Sequence, residues 1–135
     1  MKLVIDANIL FSAFLKDGLT RRIWFDSNVQ LYAPAFVLEE YAKYRRDLAK
    51  RAKMEQNAAS ALFSRLMTKV NLAGIEEFKD YLVASQALVT DQKDHPYVAC
   101  ALAVGADLWS RDRHLRQLRI RCWDTQRLAE HLGIR

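Results

Sequence analysis

The chain opens on an apolar run without polar alternation. Leu3-Val4-Ile5 reads as a short strand buried on both faces of a parallel sheet, and Asp6 follows it directly. Apolar residues at 9, 10, 11, 14 and 15 then predict a helix from Asn8 to Leu15, ended by Asp17-Gly18. Thr20 is placed to cap a second helix carrying Ile23, Trp24 and Phe25. Gln30 to Ala33 is a second short strand closed by Pro34. A third helix is expected from Phe36 to about Lys50, with Val37, Tyr41, Tyr44 and Leu48 as its apolar stripe. A fourth runs from about Met54 to Lys69 on Leu62, Phe63 and Leu66, so that the two form a hairpin joined by basic residues. Val70 to Leu72 is a third strand, and Ile75 to Val89 a helix with Glu76, Glu77, Lys79 and Asp80 on its wet face. Asp94 can cap a helix from Tyr97 to Val104, with Pro96 in its first turn and Gly105 at its end. Asp107 to Ser110 is a fourth strand, followed by a short helix to Leu118 and a fifth strand, Ile120 to Trp123. Asp124 or Thr125 caps a last helix that ends at Gly133.

Strands alternate with helices throughout. That order predicts an α/β fold, a parallel sheet with helices on both faces, and a single domain over residues 1–135 with no internal repeat. A chain of 135 residues is long enough to bury about two-thirds of its unfolded surface.

Charge narrows the partners. The net charge is +5, which favours a polyanion over a small neutral ligand. Lys43, Arg45, Arg46, Lys50, Arg51 and Lys53 are opposed locally only by Asp47, and a second arginine-rich stretch begins at Arg111 and Arg113. Read blandly, each cluster is a solvated helix face. No stretch is long enough to cross a bilayer, and Asp6 interrupts the first apolar run, so no secretory leader is read and a cytoplasmic location is expected. Cys100 and Cys122 have no metal-ligand spacing and read as small core residues in a reducing compartment. The three tryptophans read as core or interface residues rather than a base-stacking row.

The acids carry the chemistry. Asp6 follows the first strand; Glu39 and Glu40 lie early in the helix after the second; Asp91 and Asp94 precede a helix; Asp112 follows the fourth strand. Four segments thus deliver carboxylates to the rim where open α/β sheets bind ligands. Taken singly, Asp94 and Asp112 are helix caps and Asp91 a loop residue. Taken together, like charges at one rim call for a cation between them. Oxygen donors suit Mg²⁺ or Mn²⁺, whereas zinc would want His or Cys, and His95, His114 and His131 are scattered. A hard metal on a basic protein points to metal-assisted attack on a phosphodiester.

Four motifs in order resemble the PIN domain family: Val4-Ile5-Asp6-Ala7-Asn8, Pro34 with Leu38-Glu39-Glu40, Asp94-His95-Pro96-Tyr97-Val98-Ala99-Cys100-Ala101-Leu102, and Trp109-Ser110-Arg111-Asp112. The resemblance runs from Met1 to about Leu118. It implies a three-layer α/β/α sandwich around four to five parallel strands, and Mg²⁺- or Mn²⁺-dependent ribonuclease activity of the kind found in VapC-type toxins. By resemblance, Asp6, Glu40, Asp94 and Asp112 are the catalytic, metal-binding acids, with Glu39 the other candidate for the second. Asn8 and Ser110 support them by hydrogen bonds, and Asp91 through water. Arg111, Arg113, Lys43, Arg45 and Arg46 would hold the RNA. The resemblance further implies an antitoxin partner and a homodimer. Phe11, Phe14 and Trp24 are candidates for the dimer face, with core as their default. Two rivals remain: a module that binds RNA or antitoxin without turnover, and a phospho-acceptor domain. The second is disfavoured because strand one supplies a single acid.

Overall fold

The computed structural model describes residues 1–89, 91–112, 115 and 120–135. Five parallel strands, β1 (Lys2–Ile5), β2 (Gln30–Pro34), β3 (Val70–Ala73), β4 (Asp107–Trp109) and β5 (Cys122–Trp123), form one sheet in the order β3-β2-β1-β4-β5. β1 is central. Val4 aligns with Tyr32 of β2 on one side and Leu108 of β4 on the other. Successive strand residues face opposite ways, and Leu3, Val4 and Ile5 are all fully buried, so both faces of the sheet are covered.

The helices are α1 (Ala7–Leu15), α2 (Leu19–Trp24), α3 (Phe36–Arg51), α4 (Gln56–Met67), α5 (Ile75–Phe78), α6 (Leu82–Leu88), α7 (His95–Val104) and α8 (Thr125–Leu132). One layer is α7, laid across β2, β1 and β4 with α5 and α6 against it; α1 to α4 and α8 form the other. The arrangement is the expected α/β/α sandwich. Tyr41 of α3 stacks on Phe63 of α4, ring centroids 3.7 Å apart, and this clasps the helical hairpin. Trp24 of α2 donates its indole N–H to the Leu66 carbonyl at 2.9 Å. Trp24, Trp109 and Trp123 are all buried, and Phe14 with them, so Phe14 and Trp24 are core rather than an exposed dimer face. Cys100 is buried in α7, where burial pushes its thiol up to about 12. Among the described residues, no helix is long and apolar enough to cross a membrane.

Several local expectations fail for physical reasons. The helix expected over 75–89 is broken. Phe78 leaves helical dihedrals (φ −130°, ψ 0°), and a 3₁₀ turn, Lys79–Tyr81, separates α5 from α6. Thr20 does not cap α2; Gly18 stands at that position and no side chain caps the helix. β5 is only Cys122–Trp123, although Leu108 also donates to the Arg121 carbonyl at 2.8 Å. Gly105 ends α7 in the left-handed region, φ +68°, as its position after the apolar run suggested. The short helix expected to end at Leu118 falls largely outside the described residues, as do Arg113 and His114.

Candidate active site

The sheet order creates a switch point between β1 and β4. Asp6 sits at this point. Its backbone is extended (φ −94°, ψ 174°), and its Oδ1 accepts from the Ile9 amide at 2.9 Å, capping α1. Its Oδ2 accepts from the Ser110 hydroxyl. Ser110 is itself pinned: its amide donates to the Trp123 carbonyl at 3.0 Å, and its Oγ accepts from the Asp112 amide at 3.0 Å. The ends of β1 and β4 are thus joined through one buried hydroxyl. Burial pushes the Asp6 carboxyl above the usual range, while the Ser110 and Ile9 bonds and the nearby Arg111 charge pull the other way.

Asp6 forms the floor of a cleft of about 430 Å³. Glu40, Asp91, Asp94, Asp112 and Asn8 also line it. Glu39, one residue before Glu40, is exposed and lies outside. Asp94 departs from its expected role. It stands at the N-cap position of α7, yet its side chain makes no capping bond. The 3₁₀ turn Gln92–Asp94 runs straight into α7, so Asp94 is already αR (φ −84°, ψ −19°) instead of extended, and the cap geometry is lost. The side chain that caps here is Asp91, whose Oδ1 accepts from the Lys93 amide at 3.0 Å. Asp94 faces the cleft, where partial burial and then the charges of Asp112, Asp91 and Asp6 raise its carboxyl to about 6.

The far wall is one stripe of α3. Glu40, Tyr44, Asp47, Leu48 and Arg51 recur at helical spacing and all line the cleft. Tyr44, read from the sequence as an apolar core position, is 46% exposed, with its ring edge-on to Phe11 at 5.6 Å. Asp47 and Arg51, read from the sequence only as part of a charged helix face, and Lys93 and Tyr97 were not assigned to the site from the sequence. The first two were legible as Glu40 plus seven and eleven on the same helix, and Tyr97 as Asp94 plus three. Lys43, Arg45 and Arg46 are exposed on the same helix, and Arg111 is exposed beside Asp112.

The donor set is carboxylate oxygen, the kind that hard divalent cations take. Among the described residues, no three Asp, Glu, His or Cys side chains are drawn together into a ready-formed metal shell. The residues fit a cation in kind and in charge: burial raises Asp94 most, and the repulsion from Asp112, Asp91 and Asp6 that adds to it is what a cation would relieve.

The sequence profile of the PIN domain matches residues 4–133. The chain belongs to the PIN domain family. PIN domains are nucleases, so a hydrolase of nucleic acid is the class of activity that membership supports. Three solved structures share the PIN fold with this chain. VapBC2 from Rickettsia felis, solved bound to a DNA fragment from its promoter, has a TM-score of 0.69 at 12% identity, covering 92% of this chain and 98% of that one. PAE2754 from Pyrobaculum aerophilum has a TM-score of 0.66 at 16% identity, covering 98% and 90%. VapBC-1 from nontypeable Haemophilus influenzae has a TM-score of 0.63 at 14% identity, covering 93% and 99%. No curated protein matches the sequence.

Proposed function

We propose that the protein is a divalent-metal-dependent ribonuclease that hydrolyses RNA phosphodiester bonds, and the toxin of a toxin–antitoxin pair. The observation that carries the reading is the cleft lined by Asp6, Glu40, Asp94 and Asp112, delivered by four segments, in which burial and then the charges of Asp112, Asp91 and Asp6 raise Asp94.

In this reading Asp6, Asp94 and Asp112 hold Mg²⁺ or Mn²⁺, with Glu40 completing the set. Once bound, the cation supplies Lewis acidity to the phosphate and lowers the pKa of an attacking water. Ser110 fixes the Asp6 carboxylate by its hydroxyl and Asp112 through its amide, so two of the acids share one anchor. Asn8, exposed, lines the cleft beside those acids, and Asp91 would support the site through water. Arg111 and Arg113 grip the scissile strand's phosphates. Lys43, Arg45 and Arg46 guide the rest of the RNA by salt-sensitive contacts. The acids need no histidine base: His95 is occupied with the Val89 carbonyl at 2.8 Å, and His131 lies against Trp123. Two of the structural neighbours are VapBC complexes. An antitoxin whose C-terminal segment crosses the acidic cleft would silence the site, and the protein would act as a homodimer in the cytoplasm.

The test is cleavage of labelled RNA by the purified protein with Mg²⁺, Mn²⁺ or EDTA. Cleavage is expected with metal, not with EDTA, and not with Asp6→Asn, which keeps a capping oxygen. RNA binding of equal strength in EDTA, with no cleavage in metal, would make the protein a silent binding module instead.

A further inference from the structure

Among the described residues, three aromatic rings line the acidic cleft. Tyr97 is buried, Phe11 is half-buried, and Tyr44 is exposed. Of the large apolar side chains that the described residues leave exposed, Tyr44 alone lines the cleft. A single exposed aromatic elsewhere on a surface is ordinary. One set in the wall of a cleft of charged groups is placed where a ligand would cover it. Its neighbour is Phe11 of α1, with ring centroids 5.6 Å apart and planes at 66°. In an edge-on pair of this kind the partner covers at most one face of a ring. Phe11 thus braces the Tyr44 ring and leaves at least one flat face clear of it.

The helix sets a register. Residues four apart share a helix face and lie about 6 Å apart along its axis. Glu40, Tyr44 and Arg51 of α3 therefore follow one another along one wall, Arg51 about 10 Å beyond Tyr44. Arg51 and Lys93 are the cations that line the cleft among the described residues. Arg51 meets Asp47 at 4.0 Å, with both side chains more than half exposed. A pair so open to water is worth little, and the guanidinium can exchange it for a phosphate. An acid, a ring face and a cation at successive turns suit a chain whose units each carry a phosphate and a flat base. A duplex keeps its bases stacked on one another, so only an unpaired stretch offers one to Tyr44.

We propose that Tyr44 is a nucleobase-stacking platform, and that the cleft takes single-stranded RNA. The inference rests on the ribonuclease reading for the chemistry beside Glu40, and on the helix register for the stack. The base of a nucleotide next to the scissile phosphate lies on the open face of Tyr44, and a phosphate further along meets Arg51. Every base has a π face, so the platform selects unpaired RNA without reading its sequence.

The experiment first locates a cut made by wild type with Mn²⁺ in a mixed-sequence RNA. Short single strands spanning that cut are then made intact, with an abasic ribose at each position in turn, and with each base changed to the others. A fully paired duplex of the same sequence is the control. KM and kcat are measured for wild type, Tyr44→Phe and Tyr44→Leu. Tyr44→Phe keeps the ring and is expected to match wild type. Tyr44→Leu is expected to raise KM about tenfold, the loss of one stacked base. An abasic ribose at one position next to the cut should raise the wild-type KM by the same factor, and cost nothing further in Tyr44→Leu. Changing that base to another should alter KM far less, and the duplex should resist cleavage. An equal loss in Tyr44→Phe overturns the inference, because the contact would belong to the hydroxyl. A KM as sensitive to the identity of the base as to its removal also overturns it, because the base would be read by its edge. A duplex cut as fast as the single strand does the same. If Tyr44→Leu fails to fold, the abasic series on wild type decides, and the lack of a sensitive position beside the cut overturns the inference. Wild type that cuts no RNA overturns this inference and the ribonuclease reading together. Cutting by wild type beside an unaffected Tyr44→Leu overturns this one alone.

Discussion

Replacing Asp94 with Asn should stabilise the metal-free protein. The carboxyl is raised to about 6 against an ordinary 3.8 by partial burial and by Asp112, Asp91 and Asp6, so the fold opposes its ionisation. The sign follows from proton linkage. Between these two values the folded state binds the proton more tightly than the unfolded chain, so stability is full below about 4 and declines as pH rises through 6. A rise from 3.8 to about 6 corresponds to at most about 3 kcal/mol; for a group this open to solvent, screening reduces it to about 1 kcal/mol. In a chain of this length that is about 4 °C in melting temperature. Melting curves by circular dichroism in EDTA at pH 7.5 should place Asp94→Asn above wild type by about that much, and the gap should close at pH 4. With millimolar Mn²⁺ the order should reverse, since the variant keeps the neutral amide that the cation does not need. A variant that melts below wild type in EDTA at pH 7.5, or a gap of equal size at pH 4, would refute the reasoning.

Two further outcomes probe the rest of the cleft. Ser110→Ala strips the hydroxyl from Asp6 Oδ2 and from the Asp112 amide; urea unfolding should show a loss of about 1–3 kcal/mol, and no loss would mean that the joint between β1 and β4 is idle. Changing Lys43, Arg45 and Arg46 together to Ala should weaken single-stranded RNA binding alike for every sequence, and flatten the log–log salt dependence by about 0.7 per side chain; an unchanged slope would remove this face of α3 from the RNA path.

The parts of the molecule that depend on one-dimensional pattern were legible. Leu3-Val4-Ile5 reads as a strand covered on both sides because it has no polar face to show, and the structure places it at the sheet centre. Gly105 carries its role in residue type alone, ending α7 in the left-handed region, while the cap of α8 is narrowed by the sequence to Asp124 or Thr125 and is filled by Asp124. What the pattern concealed depends on dihedrals and on neighbours. Asp94 has the right residue at the right place for a cap, but the tight turn before it holds the backbone helical, and that turn is invisible in composition. Tyr44 satisfies helical spacing for the core, yet the stripe it belongs to faces an acidic cleft. The break at Phe78 has no Gly or Pro to announce it. Tyr97 reads as packing because it is an aromatic at the start of an apolar helix, and only the structure places it in the wall of the cleft.

The bond between Ser110 and Asp6 spans 104 residues of chain. Its consequence is one of timing. The N-terminal strand leaves the ribosome early, but its central acid has only its local bond from the Ile9 amide until β4 has been synthesised and has docked beside it. Pairing of parallel strands so distant in sequence is among the slowest steps of folding. The cleft is therefore a product of the finished chain. Prematurely terminated translation products that stop before β4 carry Asp6, Glu40 and Asp94 without the element that organises them. The joint between β1 and β4 is completed only once the chain has been made as far as Ser110 and Asp112, more than four-fifths of its length.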